Sequence, residues 1–232
     1  MNNLLVFQSD FGLGDGAVSA MEGVSSGVCS TLNIRHLTHE ISPYNTFEAS
    51  YRLYQTINYW PEGTVFVSIV DPGVGSNRLS VVVKTKTNQY IVTPNNGTLT
   101  HINKFVGIDE IRVIDETANR LKNSNESYTF HGRDVYAYTG ARLASNTITY
   151  EEVGPKVELD KIDMLELYGS HIEANTVKGE IDILDVRFGS LWTSIPADDF
   201  KECGISLKQF LFLNKYVLHY FYQNQQHKRT SD

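Results

Sequence analysis

Strand-like and helix-like hydrophobic patterns alternate along the first 150 or so residues of the chain. Short apolar runs rich in β-branched residues predict strands at 4–7, 33–37, 64–70, 80–84 and 90–92. Apolar residues at helical spacing predict helices at 17–28 and 46–60, and Pro61-Glu62-Gly63 ends the second helix. This alternation favours an α/β domain whose central sheet lies between helices.

The pattern weakens beyond this region. Residues 151–171 show no clear periodicity, whereas 175–184 partly alternate as a half-buried strand does. We therefore predict an N-terminal α/β domain, a linker and a smaller β-rich C-terminal domain, at residues 1–157, 158–174 and 175–232 respectively.

Composition narrows the class of protein. The 232 residues include 20 Lys and Arg against 27 Asp and Glu, a net charge of −7, which argues against a nucleic-acid binder. The two cysteines, Cys29 and Cys203, have no CxxC partner, which excludes a disulfide scaffold and a cysteine-based zinc site. The N-terminus turns polar at Gln8 and no apolar run is long enough for a membrane span. We expect a cytoplasmic protein.

The end of the chain differs from the rest. Residues 206–232 carry four Lys or Arg and one Asp, and six aromatic residues lie between Phe210 and Tyr222. Two interpretations stay open: an ordinary C-terminal element with a frayed tail, or an end that replaces the natural end of the fold.

Polar residues gather where predicted strands meet loops, the usual place for sites in α/β sheets. Asp10 and Asp15 lie in a glycine-rich loop after the first strand. A carboxylate there can accept hydrogen bonds from ribose hydroxyls, but both residues also suit turns and helix caps. The loop lacks the lysine of a phosphate-binding P-loop, so a phosphate site is disfavoured.

Two further segments carry groups suited to acid–base chemistry. Asp71 follows the strongest strand and Arg78 comes seven residues later, as an ion pair that either pins the loop or forms half of a catalytic set. His131 precedes a helix predicted at 134–144. Together the three side chains would orient and partly deprotonate a water molecule. The Asn95-Asn96-Gly97 stretch predicts a turn, and no histidine spacing suggests a metal site.

Five motifs in order, SDFGLGD, DPGVGSNR, TPNNGTLT, FHGRDVYAYTGARLA and DVRFGSLWTSI, give the chain a family resemblance. It resembles the adenosine-forming S-adenosyl-L-methionine hydrolases, also called S-adenosyl-L-methionine hydroxide adenosyltransferases, over roughly residues 4–200. The resemblance implies a homotrimer with sites between subunits, and no cofactor. The implied reaction is attack of activated water on ribose C5′, which gives adenosine and L-methionine.

The resemblance also implies roles for individual residues. The family's catalytic Asp-Arg-His set matches Asp71, Arg78 and His131. The residues implied to bind substrate are Asp10 for the ribose, Asp15 in the same loop, Tyr44 beside the nucleoside, Asp185 for the methionine ammonium, and Phe188 and Ser190 in a motif near the adenine.

Halogenating relatives have tyrosine and threonine in the loop where this chain has Asp71 and Val74, and serine where it has Gly132. Those differences favour water over halide.

Two departures from the family pattern support an alternative function. Ser190 replaces an asparagine whose amide would bond the adenine. A segment that closes over the substrate in the family is not recognisable in residues 206–232, so the resemblance implies an incomplete C-terminal domain. The alternative is therefore a catalytically impaired remnant that binds adenosine or S-adenosylmethionine.

Overall fold

The computed structural model describes residues 2–124, 130–174 and 176–202. The chain divides into two compact units, with the boundary between Leu165 and Glu166. This boundary falls inside the predicted linker, and the domain limits drawn from the sequence remain predictions. The expectation of an incomplete C-terminal domain concerns residues 206–232, which lie outside the described residues. No helix in the described ranges is long and apolar enough to cross a membrane.

The first unit contains every strand and helix that the hydrophobic pattern predicts for it, and it adds a helix at 100–105 and strands at 108–113 and 156–157 that the pattern did not predict. Its strands are β1 (Leu4–Ser9), β2 (Asn33–Thr38), β3 (Val65–Ile69), β4 (Ser80–Thr85), β5 (Tyr90–Pro94), β6 (Ile108–Val113) and β7 (Lys156–Val157). Its helices are α1 (Ala17–Val28), α2 (Thr46–Ile57), α3 (Thr100–Phe105) and α4 (Tyr138–Ala144), the last preceded by a π-helical segment, Gly132–Ala137. The mixed α/β class with a central sheet is confirmed.

The seven strands form one mixed sheet in the order β2-β1-β3-β5-β4-β6-β7. The first four in this order pair in parallel, and β4, β6 and β7 add antiparallel pairs. Because β1 and β3 are parallel neighbours with Ser9 opposite Ile69, the loops that follow them leave the same edge of the sheet.

Alternating side chains fill a core on each face of the sheet. Leu5 and Phe7 of β1 pack in the cluster that contains residues of α1 and α4, whereas Val6 packs in the cluster that contains residues of α2 and α3. All three side chains are fully buried. Burial on both faces explains why the strands read as nearly continuous apolar runs.

Gly140 lets α4 approach the sheet closely. A Cβ there would lie 2.4 Å from Val67 Cγ2, whereas a Cβ at Gly23 of α1 would meet nothing within 4 Å. We expect Gly140→Ala to lower the free energy of unfolding, because overpacking costs about 1–3 kcal/mol and outweighs the gain in helix propensity. Gly23→Ala should instead raise it by about 0.5–1 kcal/mol. Urea unfolding of both variants is the measurement, and equal stabilisation would contradict this packing.

Two buried histidines predict that the folded protein becomes less stable in acid. Burial lowers the pKa of both His39 and His101 to about 4, from an ordinary value of 6.5. As the pH falls from about 6.5 towards 4, the unfolded chain therefore gains protons that the folded chain does not, and stability declines. We expect a smaller free energy of unfolding at pH about 5 than at pH about 7, with a weaker dependence in His101→Gln. Equal values at both pH values would contradict the prediction.

The second unit has two small antiparallel pairs in its described residues. Their strands are β8 (His171–Glu173) with β9 (Thr176–Lys178), and β10 (Ile181–Asp185) with β11 (Ser190–Thr193), and a helix, α5 (Ala197–Glu202), follows.

Most strand ends differ from the sequence prediction by one or two residues, and three further elements also differ. The helix expected at 46–60 ends at Ile57, and turns lead from there to Pro61. Helical structure after His131 starts earlier than expected, in the π-helical segment. The strand expected at 175–184 is broken at Gly179, where a Cβ would lie 2.4 Å from Ile195 Cγ1.

Candidate active site

A cleft of about 280 Å³ lies where the loops after β1 and β3 leave the sheet. Its lining brings together four of the residues singled out from the sequence, Asp10, Tyr44, Asp71 and His131. The remaining lining residues are Phe11, Pro43, Ile69, Val74, Phe130 and Gly132. The cleft thus combines carboxylates, an imidazole and aromatic faces.

Asp10 fixes the position of the Tyr44 loop. Asp10 Oδ2 accepts a hydrogen bond of 2.8 Å from the Tyr44 backbone amide. Tyr44 has a left-handed backbone, with φ of 66°, and its ring is largely exposed. Asn45 then caps α2 by accepting from the Glu48 amide at 2.9 Å. The cleft therefore has a tyrosine beside a carboxylate on one wall.

Asp71 and Arg78 form a two-pronged ion pair. Arg78 Nε donates to Asp71 Oδ1 at 2.6 Å and Nη2 donates to Oδ2. Both side chains are about nine-tenths buried. Although burial alone disfavours the guanidinium charge, its hydrogen bond to Asp71 and nearby anionic groups raise the pKa of Arg78. Arg78 therefore stays cationic and holds the Asp71 carboxylate in a fixed orientation.

The predicted turn at 95–97 supports this arrangement. Asn96 Nδ2 donates to the Val70 carbonyl at 2.8 Å, immediately before Asp71. Asn95 bonds instead to Lys161 and Asp163, at 2.8 and 3.0 Å. The first amide anchors the strand end that carries Asp71, and the second anchors residues at the end of the unit.

His131 is held from the loop between β6 and the π-helical segment. Its Nε2 lies 3.2 Å from Arg120 Nη2 and 3.9 Å from Glu116 Oε2. Arg120 Nη2 also donates to Glu116 Oε2 at 2.5 Å. His131 and Arg120 are both more than nine-tenths buried.

Ser80 connects the two halves of the site. Its Oγ donates to Glu116 Oε1 at 3.1 Å and accepts from Arg78 Nη1 at 3.3 Å. The Tyr136 hydroxyl lies 3.1 Å from the same oxygen, and burial raises the pKa of this tyrosine, so it stays neutral and donates. A polar network therefore extends from Asp71 through Arg78, Ser80, Glu116 and Arg120 to His131.

The other predicted site residues lie elsewhere in the chain. Asp15 Oδ1 accepts from the Ala17 amide at 2.8 Å, which is a turn interaction of the kind considered in the sequence analysis, directly before α1. Asp185, Phe188 and Ser190 belong to the β10–β11 hairpin of the second unit. Asp185 accepts from the Phe188 amide and from Trp192 Nε1, both at 3.3 Å, and Phe188 is highly exposed.

Sequence reasoning missed Ser80, Glu116 and Arg120. Ser80 opens a strand, where a serine is unremarkable. Glu116 and Arg120 lie in a segment without regular secondary structure, so their spacing predicts no shared face. Only the folded chain brings them to His131.

Comparison with known proteins gives a consistent family. Residues 5–154 match the model of the SAM hydroxide adenosyltransferase N-terminal domain. The chain is 37% identical over 202 residues to a protein named (R)-S-adenosyl-L-methionine hydrolase from Methanocaldococcus jannaschii, covering 85% of this chain and 68% of that protein. It is 26% identical over 235 residues to a fluorinase from an Actinoplanes species, covering 91% and 78%.

A solved structure from Thermotoga maritima, described as an uncharacterized conserved protein, superposes with a TM-score of 0.81. It is 35% identical, and the match covers 88% of this chain and 76% of that one. At this level of similarity, the fold of the chain follows that of the solved structure.

Proposed function

Because this chain belongs to the SAM hydroxide adenosyltransferase family, we propose that it hydrolyses S-adenosyl-L-methionine to adenosine and L-methionine. The observation that carries the proposal is the cleft lined by Asp10, Tyr44, Asp71 and His131, with Arg78 paired to Asp71. The relatives named as hydrolases support the reaction class.

The chemistry requires little beyond positioning. A water oxygen forms a bond to ribose C5′ while the C5′–S bond breaks, and its electron pair stays on sulfur. The sulfonium charge disappears, the thioether of methionine leaves, and one proton is released. Since the leaving group is already good, holding water in line with the C5′–S bond supplies much of the catalysis.

We assign the positioning of water to Asp71. The carboxylate accepts a hydrogen bond from the water, and its negative charge stabilises the positive charge that develops on the water as its oxygen attacks C5′. Arg78 holds this carboxylate in a fixed orientation through its two donors. His131 is proposed to border the water site beside Asp71.

Substrate binding is assigned by the same resemblance. Asp10 is proposed to accept hydrogen bonds from the ribose hydroxyls and Tyr44 to lie against the nucleoside, with Asp15 contributing from the same loop. In the second unit, Asp185 is proposed to bind the methionine ammonium and Phe188 and Ser190 to approach the adenine. We further propose a cytoplasmic, cofactor-independent homotrimer with sites between subunits.

The wall at Gly132 favours water over halide in this proposal. A Cβ at Gly132 would lie 3.1 Å from Phe11 Cζ and 3.1 Å from Phe130 Cε2. Any side chain there would press on two aromatic rings of the cleft. Because residue 132 is glycine, it offers no hydroxyl to a halide. The negative charge of Asp71 repels a halide.

Product analysis tests the function. The chain is incubated separately with each sulfonium epimer of S-adenosylmethionine, since the hydrolase relatives are named for the R epimer. We expect adenosine and methionine in equal amounts, with one proton released per turnover. Formation of methylthioadenosine, or no adenosine from either epimer, would contradict the proposal.

The impaired-remnant alternative rests on Ser190 in place of the family's asparagine. It predicts a different pair of results. Calorimetry would show adenosine binding, while chromatography would find no products from either epimer.

A further inference from the structure

We propose that Glu116 and Arg120 act as positioning residues that fix His131 as a neutral imidazole protonated at Nδ1. His131 can then only donate a hydrogen bond from Nδ1, and Asp71 is the side chain that accepts a hydrogen bond from the attacking water. The inference rests on the proposed function for its role in catalysis. The ring state itself follows from contacts within the first unit.

The argument starts from the donor character of arginine. A guanidinium carries five N–H donors and no acceptor. Arg120 Nη2 lies 3.2 Å from His131 Nε2, within hydrogen-bond distance. Such a contact is favourable only when Nε2 presents its lone pair, so the ring proton resides on Nδ1.

Glu116 makes the arginine a fixed donor. Its Oε2 accepts from Arg120 Nη2 at 2.5 Å, whereas the same oxygen lies 3.9 Å from His131 Nε2. Glu116 therefore pairs more closely with the arginine than with the histidine. The nearer cation opposes a second positive charge on the imidazole, because like charges in a buried site repel strongly.

Ser80 ties this arrangement to Asp71. The hydroxyl has one proton, which it donates to Glu116, and it accepts from Arg78 and from neutral Tyr136. Arg78 in turn holds Asp71. One connected network thus sets the orientations of the Asp71 carboxylate and the His131 imidazole. In this network each hydrogen bond has a defined donor and acceptor.

The consequence is that His131 and Asp71 have different roles in the proposed catalytic set. A histidine with its proton on Nδ1 and an arginine on Nε2 has no nitrogen ready to remove a proton from water. Any hydrogen bond from Nδ1 is one that the ring donates. Asp71 is then the acceptor that aligns the water, and the released proton leaves through that carboxylate.

The ring state is measured directly by nitrogen NMR of the full-length protein labelled at histidine. The His131 signals are assigned by their loss in His131→Gln. We expect a protonated Nδ1 and an unprotonated Nε2 at neutral pH, with no substrate present. A proton on Nε2 would overturn the proposal, whatever the protein does to S-adenosylmethionine.

Variants test the positioning role. Arg120→Met removes the donor at similar length, and we expect loss of the single His131 tautomer and a fall in kcat of about tenfold or more with little change in KM. Arg120→Lys keeps a cationic donor and should retain much of the single His131 tautomer and much of kcat. Glu116→Gln should show a milder change in the same direction.

Arg112→Met is the matched control. Arg112 Nε also donates to a glutamate, Glu110 Oε1 at 2.7 Å, but neither residue lines the cleft. We expect this variant to keep the His131 tautomer and kcat even if its melting temperature falls. Equal losses of kcat in Arg112→Met and Arg120→Met, or an unchanged tautomer in Arg120→Met, would overturn the proposal.

Discussion

Asp71→Asn is expected to lower kcat by about 10²–10⁴-fold, the range for a positioned acid–base group. Asparagine keeps the size of the side chain and one acceptor oxygen for Arg78, but it loses the negative charge that aligns water. The measurement is initial-rate kinetics of adenosine release, with adenosine affinity determined by calorimetry in the same variant.

Two controls make this result interpretable. Asp109→Asn removes a more exposed carboxylate that lies 4.0 Å from Lys84, outside the cleft, and should leave kcat unchanged. Retained adenosine binding by Asp71→Asn would show that the cleft remains folded. A kcat within a few-fold of the original chain would remove Asp71 from the mechanism.

Asp10→Ala is expected to raise the dissociation constant for adenosine about 10- to 100-fold. Hydrogen bonds to a charged acceptor contribute about 1.5–3 kcal/mol, and the ribose hydroxyls lose theirs. The effect should fall on binding and KM more than on kcat. Calorimetric titration with adenosine measures it.

Asp10 also holds the Tyr44 amide, so a second variant separates the two contributions. Asp10→Asn retains an oxygen acceptor for that amide but carries no charge. We expect it to bind adenosine more tightly than Asp10→Ala and less tightly than the original chain. An affinity unchanged in both variants would contradict the assignment of Asp10 to the ribose.

Strands β1 to β5 were predictable from the sequence because local signals determine them, whereas β6 and β7 were not predicted. Runs such as Val65–Ile69 are apolar except for Ser68, and Pro61 marks where the preceding helix must already have ended. The sequence placed Asp10 and Asp71 after predicted strands, and the cleft contains both because these strands are parallel neighbours in the sheet.

The partners of His131 were not predictable in the same way. The sequence suggested His131 as a companion of Asp71 and Arg78, and His131 does share the cleft with Asp71. Its contacts with Arg120 and Glu116 depend on how an irregular segment packs, which periodicity does not encode. The roles of Asp185, Phe188 and Ser190 stay predictions, since they rest on the resemblance.

Isotope labelling tests the central claim most directly, because it shows where water attacks. The reaction is run in water enriched in a heavy oxygen isotope, and the masses of both products are measured by mass spectrometry. Attack at C5′ predicts one heavy oxygen atom in adenosine, at the 5′ hydroxyl, and none in methionine. Adenosine without the label, or label in the amino-acid product, would contradict hydrolysis at C5′ in this cleft.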